Sequence, residues 1–305
     1  MNLPLLIPLP GNERLAASIA GAIDAEIGVL ELRQFPDGET YLRFACGVAK
    51  RPVILLCTLA RPNELVMPLL LAADAARDLG SSEVALVAPY LAYMRQDRRF
   101  RSGEVISART FARLLSNAFD WFVTVDPHLH RYASLDAIYS IRSRVVQSAP
   151  SIARWIKANV TDPVIVGPDI ESEQWVSSVA QQIGAPHFVL SKSRTGDRRV
   201  SVTLPDIEPF AHRRPVIVDD IGSSGQTLVE AVRALNHAGF ETSCCIVVHA
   251  LFDCKVEDVF DDRSVQILST DTVAHDTNAI ALGDVLAKAV EEMRLGTEPA
   301  RKPIE

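Results

Sequence analysis

The sequence is poor in cysteine, in long apolar runs and in basic charge, and each shortage excludes a class of protein. Its five cysteines among 305 residues have neither the spacing of metal ligands nor the density of a disulfide framework. No apolar run approaches the ~18–20 residues of a membrane helix. The first apolar stretch, Leu3–Pro8, follows no basic residue and is interrupted by proline, which argues against a signal peptide. We therefore predict a cytoplasmic protein with reduced cysteines and no membrane partner.

The overall charge is acidic. The chain carries 38 acidic and 31 basic residues, which gives a net charge of −7. A field of that sign argues against general nucleic-acid binding, because such binding needs a basic surface that neutralises phosphates. Hydrophobic residues make up 48% of the chain and charged residues 23%, as in ordinary globular proteins. At this length we expect about two domains.

Short β-rich runs alternate with longer helical patterns along the whole chain. The strand-like runs are residues 52–58, 83–88, 121–125, 164–167, 187–190, 216–218 and 243–248. Helical patterns begin near residues 62, 107, 171 and 226, and Ser107 is predicted to cap its helix. Continuous apolar strands separated by helices predict parallel sheets covered on both faces. We therefore predict an α/β fold of two duplicated domains, residues 1–145 and 146–305, with the last ~20 residues able to pack on the N-terminal domain.

The strongest local signal is the run Pro215–Leu228, PVIVDDIGSSGQTL. An apolar strand is predicted to end in the carboxylates of Asp219 and Asp220, and a helix to begin near Thr227. Between them lies a small-residue loop that consists of Gly222, Ser223, Ser224 and Gly225 and is followed by Gln226. Such a loop lies at the carboxyl end of a parallel strand, where backbone amides and a helix N-terminus bind phosphate.

The two adjacent carboxylates add a second function to this run. They can hold vicinal hydroxyls of a sugar, or bind Mg²⁺ through water. The run therefore predicts a site for a phosphorylated sugar, and the alternative is a capped helix after a strand with two surface acids. It is not a Walker loop, because the Gly-Lys-Ser/Thr is missing.

A second cluster is rich in arginine. Its members within seven residues are Arg95, Gln96, Asp97, Arg98, Arg99 and Arg101. Guanidinium groups match phosphate oxygens in charge and geometry, so the cluster suits a polyphosphate. A solvated charged loop is the alternative.

The remaining positions are weak signals when each is taken alone. Phe35, Asp37, Gly38 and Glu39 form a predicted turn that offers an aromatic face and carboxylates to adenine; the alternative is an ordinary β-turn with a buried Phe35. His128 and His130 follow the strand 121–125. They can bind a metal ion or stabilise phosphate, and the alternative is that they are ordinary solvent-exposed histidines. Asp169 follows the end of the strand 164–167, where an aspartate is more often a helix cap. Lys192 and Arg194 precede a glycine and can close over a polyphosphate, or belong to an ordinary hairpin.

Taken together, these segments resemble the ribose-phosphate pyrophosphokinase family. The matching segments, in the family's order and spacing, are QFPDGE (34–39), YMRQDRR (93–99), VDPH (125–128), Pro168–Asp169 and KSR (192–194). The run 215–228 resembles the phosphoribosyl-binding loop that the family shares with phosphoribosyltransferases. The resemblance covers about residues 3–290. It implies two phosphoribosyltransferase-like domains, each a mainly parallel sheet flanked by helices.

The resemblance also implies an activity and a set of site residues. Pyrophosphate would pass from MgATP to the 1-hydroxyl of ribose 5-phosphate, with Lys192 and Arg194 as catalytic cations and Mg²⁺ near His128 and Asp169. The residues implied for ATP are Phe35, Asp37, Gly38, Glu39, Arg95, Gln96, Asp97 and His128. Those implied for ribose 5-phosphate are Arg194, Asp219, Asp220, Gly222, Ser223, Ser224, Gly225, Gln226 and Thr227. The turn at Phe35 would reach the ATP site of a neighbouring subunit, which implies a homo-oligomer.

Three departures from the family's pattern, together with Asp-Pro-His, Lys-Ser-Arg and Gly-Asp-Arg, make the chain look closer to archaeal-type members than to the common bacterial form. Gln226 stands where the family usually has Gly or Ala, and Ser223 where many bacterial members carry a third acid. Asp169 is followed by Ile-Glu-Ser-Glu-Gln-Trp in place of a turn with two glycines. Two other functions stay open, a phosphoribosyltransferase and a catalytically silent nucleotide-binding regulator, although the loop cations argue against silence.

Overall fold

The computed structural model describes residues 3–129, 131–195, 199–241, 244–252 and 265–296, of which 192–195 and 199–202 are described by their backbone alone. His130 and Cys254 lie outside these ranges. The chain forms two compact units. The first contains Met1–Val146 together with the C-terminal segment from Gly283 onward, and the second contains Gln147–Leu282.

The first unit is built on a six-stranded parallel sheet in the order β2-β1-β5-β6-β7-β8. Its strands are β1 (Leu5–Pro8), β2 (Glu26–Ile27), β5 (Pro52–Leu56), β6 (Glu83–Ala88), β7 (Trp121–Val125) and β8 (Arg142–Val146). Its helices are α1 (Glu13–Ile23), α2 (Pro62–Asp78), α3 (Ser107–Ala118) and α7 (Gly283–Leu295). Residues such as Ile54, Leu86 and Val123 are fully buried, because parallel strands covered on both faces must be apolar throughout.

A separate antiparallel hairpin, β3 (Leu30–Gln34) and β4 (Thr40–Phe44), belongs to the same unit. The helix α3 begins as expected, but the predicted cap was wrong. Ser107 is its first residue and Ile106 occupies the N-cap position. The Ser107 hydroxyl instead donates to the Tyr93 carbonyl oxygen at 3.4 Å, because the preceding loop brings that acceptor within its reach.

The second unit repeats this architecture with a six-stranded parallel sheet in the order β10-β9-β13-β14-β15-β16. Its strands are β9 (Pro163–Gly167), β10 (His187–Val189), β13 (Arg214–Gly222), β14 (Cys244–Ala250), β15 (Gln266–Thr270) and β16 (Asn278–Ile280). Its helices are α4 (Ala149–Asn159), α5 (Glu173–Ile183) and α6 (Gln226–His237). The hairpin β11 (Ser191–Thr195) and β12 (Arg199–Thr203) stands outside this sheet.

Three of the four described cysteines behave as apolar core residues. Cys244 and Cys245 are buried in β14, Cys57 is buried directly after β5, and none of the four cysteines that the structure describes is paired. Burial raises the pKa of the Cys57 and Cys244 thiols to about 12, so both stay protonated and unreactive at neutral pH. Across the described ranges, no helix is both long enough and apolar enough to cross a bilayer.

Candidate functional site

The strand β13 carries two buried carboxylates close to its carboxyl end. Asp219 is 9% exposed and Asp220 is 7% exposed. We expected the strand to end at this pair, and that was wrong, because β13 continues to Gly222. Its backbone keeps pairing with β14, where Asp219 lies opposite Val247 and Gly222 opposite Ala250. Ladder pairing with a buried neighbour outweighs the weak strand preference of aspartate.

The glycine–serine loop (residues 222–225) connects β13 to α6. Gly225 has a left-handed backbone, with φ of 74°, and occupies the N-cap position of α6 without a side-chain cap. The first turn of α6 contains no acidic residue, and Ser224 is exposed beside it. A helix N-terminus of this kind presents backbone amides and positive potential, which together suit an anion.

Gly222 lies where a side chain would not fit. A Cβ added to it would lie 2.4 Å from Cζ of Phe252, and the Gly222 carbonyl oxygen accepts the Leu251 amide at 2.7 Å. The backbone at the start of the glycine–serine loop is therefore packed directly against the segment that follows β14. Glycine is required at this position because the Phe252 ring occupies the space that a larger side chain would need.

A buried polar network beside the loop was not predicted from the sequence. His249 is 2% exposed, and its Nδ1 lies 2.9 Å from Oγ1 of Thr272. The hydroxyls of Thr270 and Thr272 both donate to the Val248 carbonyl oxygen. His249 pairs with Ile221 across the ladder, so the network fixes the end of β14 next to β13. A histidine inside an apolar run, followed later by the polar run Ser269–Thr272, was the available signal.

Asp169 lies two residues after the end of strand β9 at Gly167. Its carboxylate accepts the Glu171 amide at 3.1 Å and caps a short 3₁₀ turn, Ile170–Ser172. The capping interpretation of this aspartate is therefore confirmed, and one carboxylate oxygen is engaged in it. Lys192 and Arg194 lie on β11, opposite Val202 and Val200 of β12. Their side chains lie outside the described part of the chain.

In the first unit, the arginine loop (residues 95–101) follows β6. Arg95 is exposed, Gln96 is half-buried and Asp97 is buried. The Asp97 carboxylate accepts from Nη1 of Arg131, which lies 3.0 Å from each of its oxygens. The Tyr132 hydroxyl donates to the Asp97 carbonyl oxygen at 3.1 Å.

These contacts join the arginine loop to the segment after β7 that also carries half-buried His128. The structure thus connects two predicted nucleotide segments that are separated by about thirty residues in the chain. Arg131 and Tyr132 were missed by sequence reasoning, because nothing in their own neighbourhood indicates a partner so far away.

The turn at residues 35–39 closes the hairpin β3–β4 through its own backbone. The Phe35 amide donates to the Glu39 carbonyl oxygen at 2.8 Å, and the Asp37 carboxylate accepts the Glu39 amide at 3.1 Å. Phe35 is 41% exposed, so the alternative of a buried phenylalanine was wrong. The guanidinium of Arg33 lies 4.8 Å from the centre of its ring, and an aromatic face is held at the tip of the hairpin.

The described residues contain no group of three or more His, Cys, Asp and Glu side chains placed to hold a metal ion. Mg²⁺ in nucleotide enzymes needs fewer, because one or two protein ligands act together with water and substrate phosphates. The Asp169 carboxylate at a strand end supplies the hard oxygen donor that this ion prefers. The donor chemistry of the chain is therefore compatible with Mg²⁺.

Comparison with known proteins identifies the family. Residues 5–118 match the N-terminal domain of ribose phosphate pyrophosphokinase, and residues 134–281 match the phosphoribosyl transferase domain. A ribose-phosphate pyrophosphokinase of Methanothermobacter thermautotrophicus is 31% identical over 291 residues, which cover 94% of this chain and 100% of that protein. The chain belongs to the ribose-phosphate pyrophosphokinase family.

Other relatives agree with this assignment. A ribose-phosphate pyrophosphokinase of Methanopyrus kandleri is 31% identical over 287 residues, which cover 92% of this chain and 96% of that protein. The crystal structure of phosphoribosylpyrophosphate synthetase from Mycobacterium smegmatis has a TM-score of 0.84 and covers 96% of this chain and 99% of its own, at 21% identity. That likeness confirms the fold of two α/β units. The predicted similarity to archaeal members is confirmed by the archaeal sources of the relatives.

Proposed function

We propose that this member of the ribose-phosphate pyrophosphokinase family makes 5-phosphoribosyl 1-pyrophosphate and AMP from MgATP and ribose 5-phosphate. The observation that carries the proposal is the continuous arrangement of β13, the glycine–serine loop and α6. It offers carboxylates and an anion-binding helix N-terminus within one short segment. That arrangement occurs in a chain aligned to the full length of a relative named for this reaction.

The sugar is held by this continuous segment. The amides of residues 222–227 and the α6 N-terminus bind the 5-phosphate, and the carboxylates of Asp219 and Asp220 accept hydrogen bonds from ribose hydroxyls. The 1-hydroxyl oxygen then attacks the β-phosphorus of ATP. The new bond joins that oxygen to the β-phosphorus, the bond to the α-phosphate oxygen breaks, AMP leaves and the hydroxyl proton passes to solvent.

The nucleotide is held by the first unit. Arg95 and Gln96 bind phosphates from the arginine loop, Asp97 belongs to the same nucleotide segment, and His128 contributes from the end of β7. The tip of the hairpin, with Phe35, Asp37, Gly38 and Glu39, stacks on and hydrogen-bonds the adenine of a neighbouring subunit, so the active form is a homo-oligomer. Phe35 supports this role because its ring is exposed.

The cations Lys192 and Arg194 neutralise the charge that develops on the transferred group. The ion Mg²⁺, bound with His128 and Asp169, would supply further charge neutralisation on the ATP phosphates. The protein's share of the catalysis is positioning and electrostatic stabilisation, because this phosphoryl chemistry needs no covalent intermediate.

The test is incubation of the purified protein with MgATP and ribose 5-phosphate, with products identified by ³¹P NMR. Equal amounts of AMP and a pyrophosphorylated pentose are expected. Formation of ADP would show transfer of a single phosphoryl group and contradict the proposal. ATP binding without turnover would favour the regulatory homologue. Consumption of the pyrophosphorylated sugar with a nucleobase would favour a phosphoribosyltransferase.

A further inference from the structure

Asp97 differs from the rest of the arginine loop. Arg95, Arg98 and Arg99 are exposed, whereas the Asp97 side chain is only 3% exposed. A carboxylate withdrawn from water to this extent needs a charged or hydrogen-bonding partner. In the described structure, the partner that approaches both of its oxygens is Arg131.

Arg131 makes a second contact with the same loop. Its guanidinium lies 5.6 Å from the centre of the Phe100 ring, and that of Arg98 lies 4.9 Å from it. Phe100 is 53% exposed, so the cation–π contacts contribute modestly. They show that Arg131 reaches both Asp97 and the end of the loop. The adjacent Tyr132 adds its hydrogen bond to the Asp97 backbone.

The loop has other supports besides Arg131, and the Gln96 carbonyl oxygen accepts the Ala108 amide of α3 at 3.3 Å. The Glu104 carboxylate accepts the amides of Phe100 and Arg101 at 2.7 and 2.9 Å, which closes the turn that follows the arginines. Those bonds shape the turn itself. The contacts of Arg131 instead tie the loop to the segment after β7, which carries His128.

We propose that Arg131 is a positioning residue for the nucleotide, and that Asp97 acts through Arg131 without touching ATP. The inference rests on the proposed function, because it assigns Arg95, Gln96 and His128 to ATP. Loss of Arg131 leaves the buried Asp97 charge uncompensated, so the loop must move to let water reach it. Arg95 and Gln96 directly precede Asp97 in the chain and move with it.

The first experiment measures MgATP binding by calorimetry and the KM for each substrate. In Arg131→Ala, the Kd and KM for ATP should rise about 10- to 100-fold, while the KM for ribose 5-phosphate stays unchanged. Arg131→Lys should recover much of the affinity, because a single nitrogen, Nη1, contacts both carboxylate oxygens and an ammonium can replace it. Arg144→Ala is the matched control, because Arg144 pairs with Glu292 at 2.8 Å in the same unit and is 53% exposed.

A double-mutant cycle tests whether Asp97 acts only through Arg131. Asp97→Asn and Arg131→Ala should each weaken ATP binding, and the double variant should bind ATP no more weakly than Arg131→Ala alone, because it no longer carries the uncompensated charge. If the double variant shows the product of the two single losses, Asp97 contacts the nucleotide independently and the proposal is overturned. Should Arg131→Ala fail to fold, Arg131→Gln compared with Arg131→Lys carries the same test, because only the lysine restores the positive charge.

The outcomes separate this inference from the proposed function. If no pyrophosphorylated sugar forms but ATP binding depends on Arg131, the function fails and the inference stands. If the sugar product forms but Arg131→Ala binds ATP as the unaltered protein does, the inference is overturned and the function stands. If the unaltered protein binds no ATP, both are overturned.

Discussion

The two proposed substrate sites are assembled in different ways. In the second unit, the residues assigned to the sugar phosphate, apart from Arg194 on β11, run from Asp219 to Thr227 and join one buried strand to one helix. In the first unit, the residues assigned to ATP come from a hairpin tip, the arginine loop and the segment after β7. A continuous loop takes its shape from the strand and the helix at its ends, whereas an assembled site needs contacts that hold its segments together.

The chemical groups differ as well. From residue 219 to residue 227 the chain has no lysine or arginine, so phosphate binding there depends on backbone amides and on small residues that expose them. The arginine loop depends on long side chains, which bind well only when their backbone is held in place. The ion pair between Arg131 and Asp97 meets that need. We expect changes in the glycine–serine loop to act locally, and changes in the arginine loop to depend on distant partners.

The largest expected effect comes from a residue in neither binding loop. Lys192→Ala should lower kcat about 10²- to 10³-fold while the KM for ATP changes little, because one preorganised donor to transition-state charge is lost. Steady-state kinetics with both substrates measures this. Lys157→Ala, at an exposed position of α4, is the control and should keep full activity. An unchanged kcat in Lys192→Ala would show that the hairpin β11–β12 has no catalytic role.

A pair of variants sharpens the contrast between the two sites. Asp219→Ala should raise the KM for ribose 5-phosphate about 10- to 100-fold, and Arg95→Ala should raise the KM for ATP by a similar factor, because each removes a charge-assisted hydrogen bond. Each variant should leave the other substrate's KM nearly unchanged. Equal changes in both KM values for either variant would contradict the separation of the sites.

A smaller effect is expected from the packing of the glycine–serine loop. Gly222→Ala places a methyl group against the Phe252 ring, which should cost about 1–3 kcal/mol in stability and raise the KM for the sugar. Adding Phe252→Ala should relieve the clash and restore the sugar KM. Gly21→Ala is the control, because nothing lies within 4 Å of a Cβ on that residue of α1. Thermal unfolding should show no loss of stability for this control. A Gly222→Ala protein as stable as the unaltered one would show that the ring moves aside freely.

The smallest signal is partial recovery of activity in mixed oligomers. Glu39→Ala and Lys192→Ala subunits, exchanged and assayed together, should regain part of the activity. One site of a mixed pair combines an intact Lys192 with the intact hairpin of its neighbour. Mixing Lys192→Ala with Asp219→Ala is the control and should recover nothing, because both residues belong to the same unit of one subunit. No recovery in verified mixed oligomers of the first pair would place the hairpin in its own subunit's site.

Most of the fold could be predicted from the sequence, because the signals for it are local. Runs such as Glu83–Ala88 and Trp121–Val125 were predicted with the bounds that the structure has, since apolar runs between turn residues determine buried strands. The glycine–serine loop is equally local, because its glycines, serines and flanking carboxylates are neighbours in the chain. The extent of β13 was misjudged, because pairing with β14 decides where it ends.

The sequence by itself determined which segments can bind phosphate, because residue type and short spacing settle that chemistry. Only the tertiary structure decided how those segments are held. Arg131 meets Asp97 across 34 positions of chain, and His249 meets Thr272 across 23. Each pair forms because a buried polar group needs a hydrogen-bonding or charged partner, and the fold determines which residue lies close enough to be that partner. No local pattern encodes that partner, since the distance between the two residues is set by the packing of the helices and strands that lie between them.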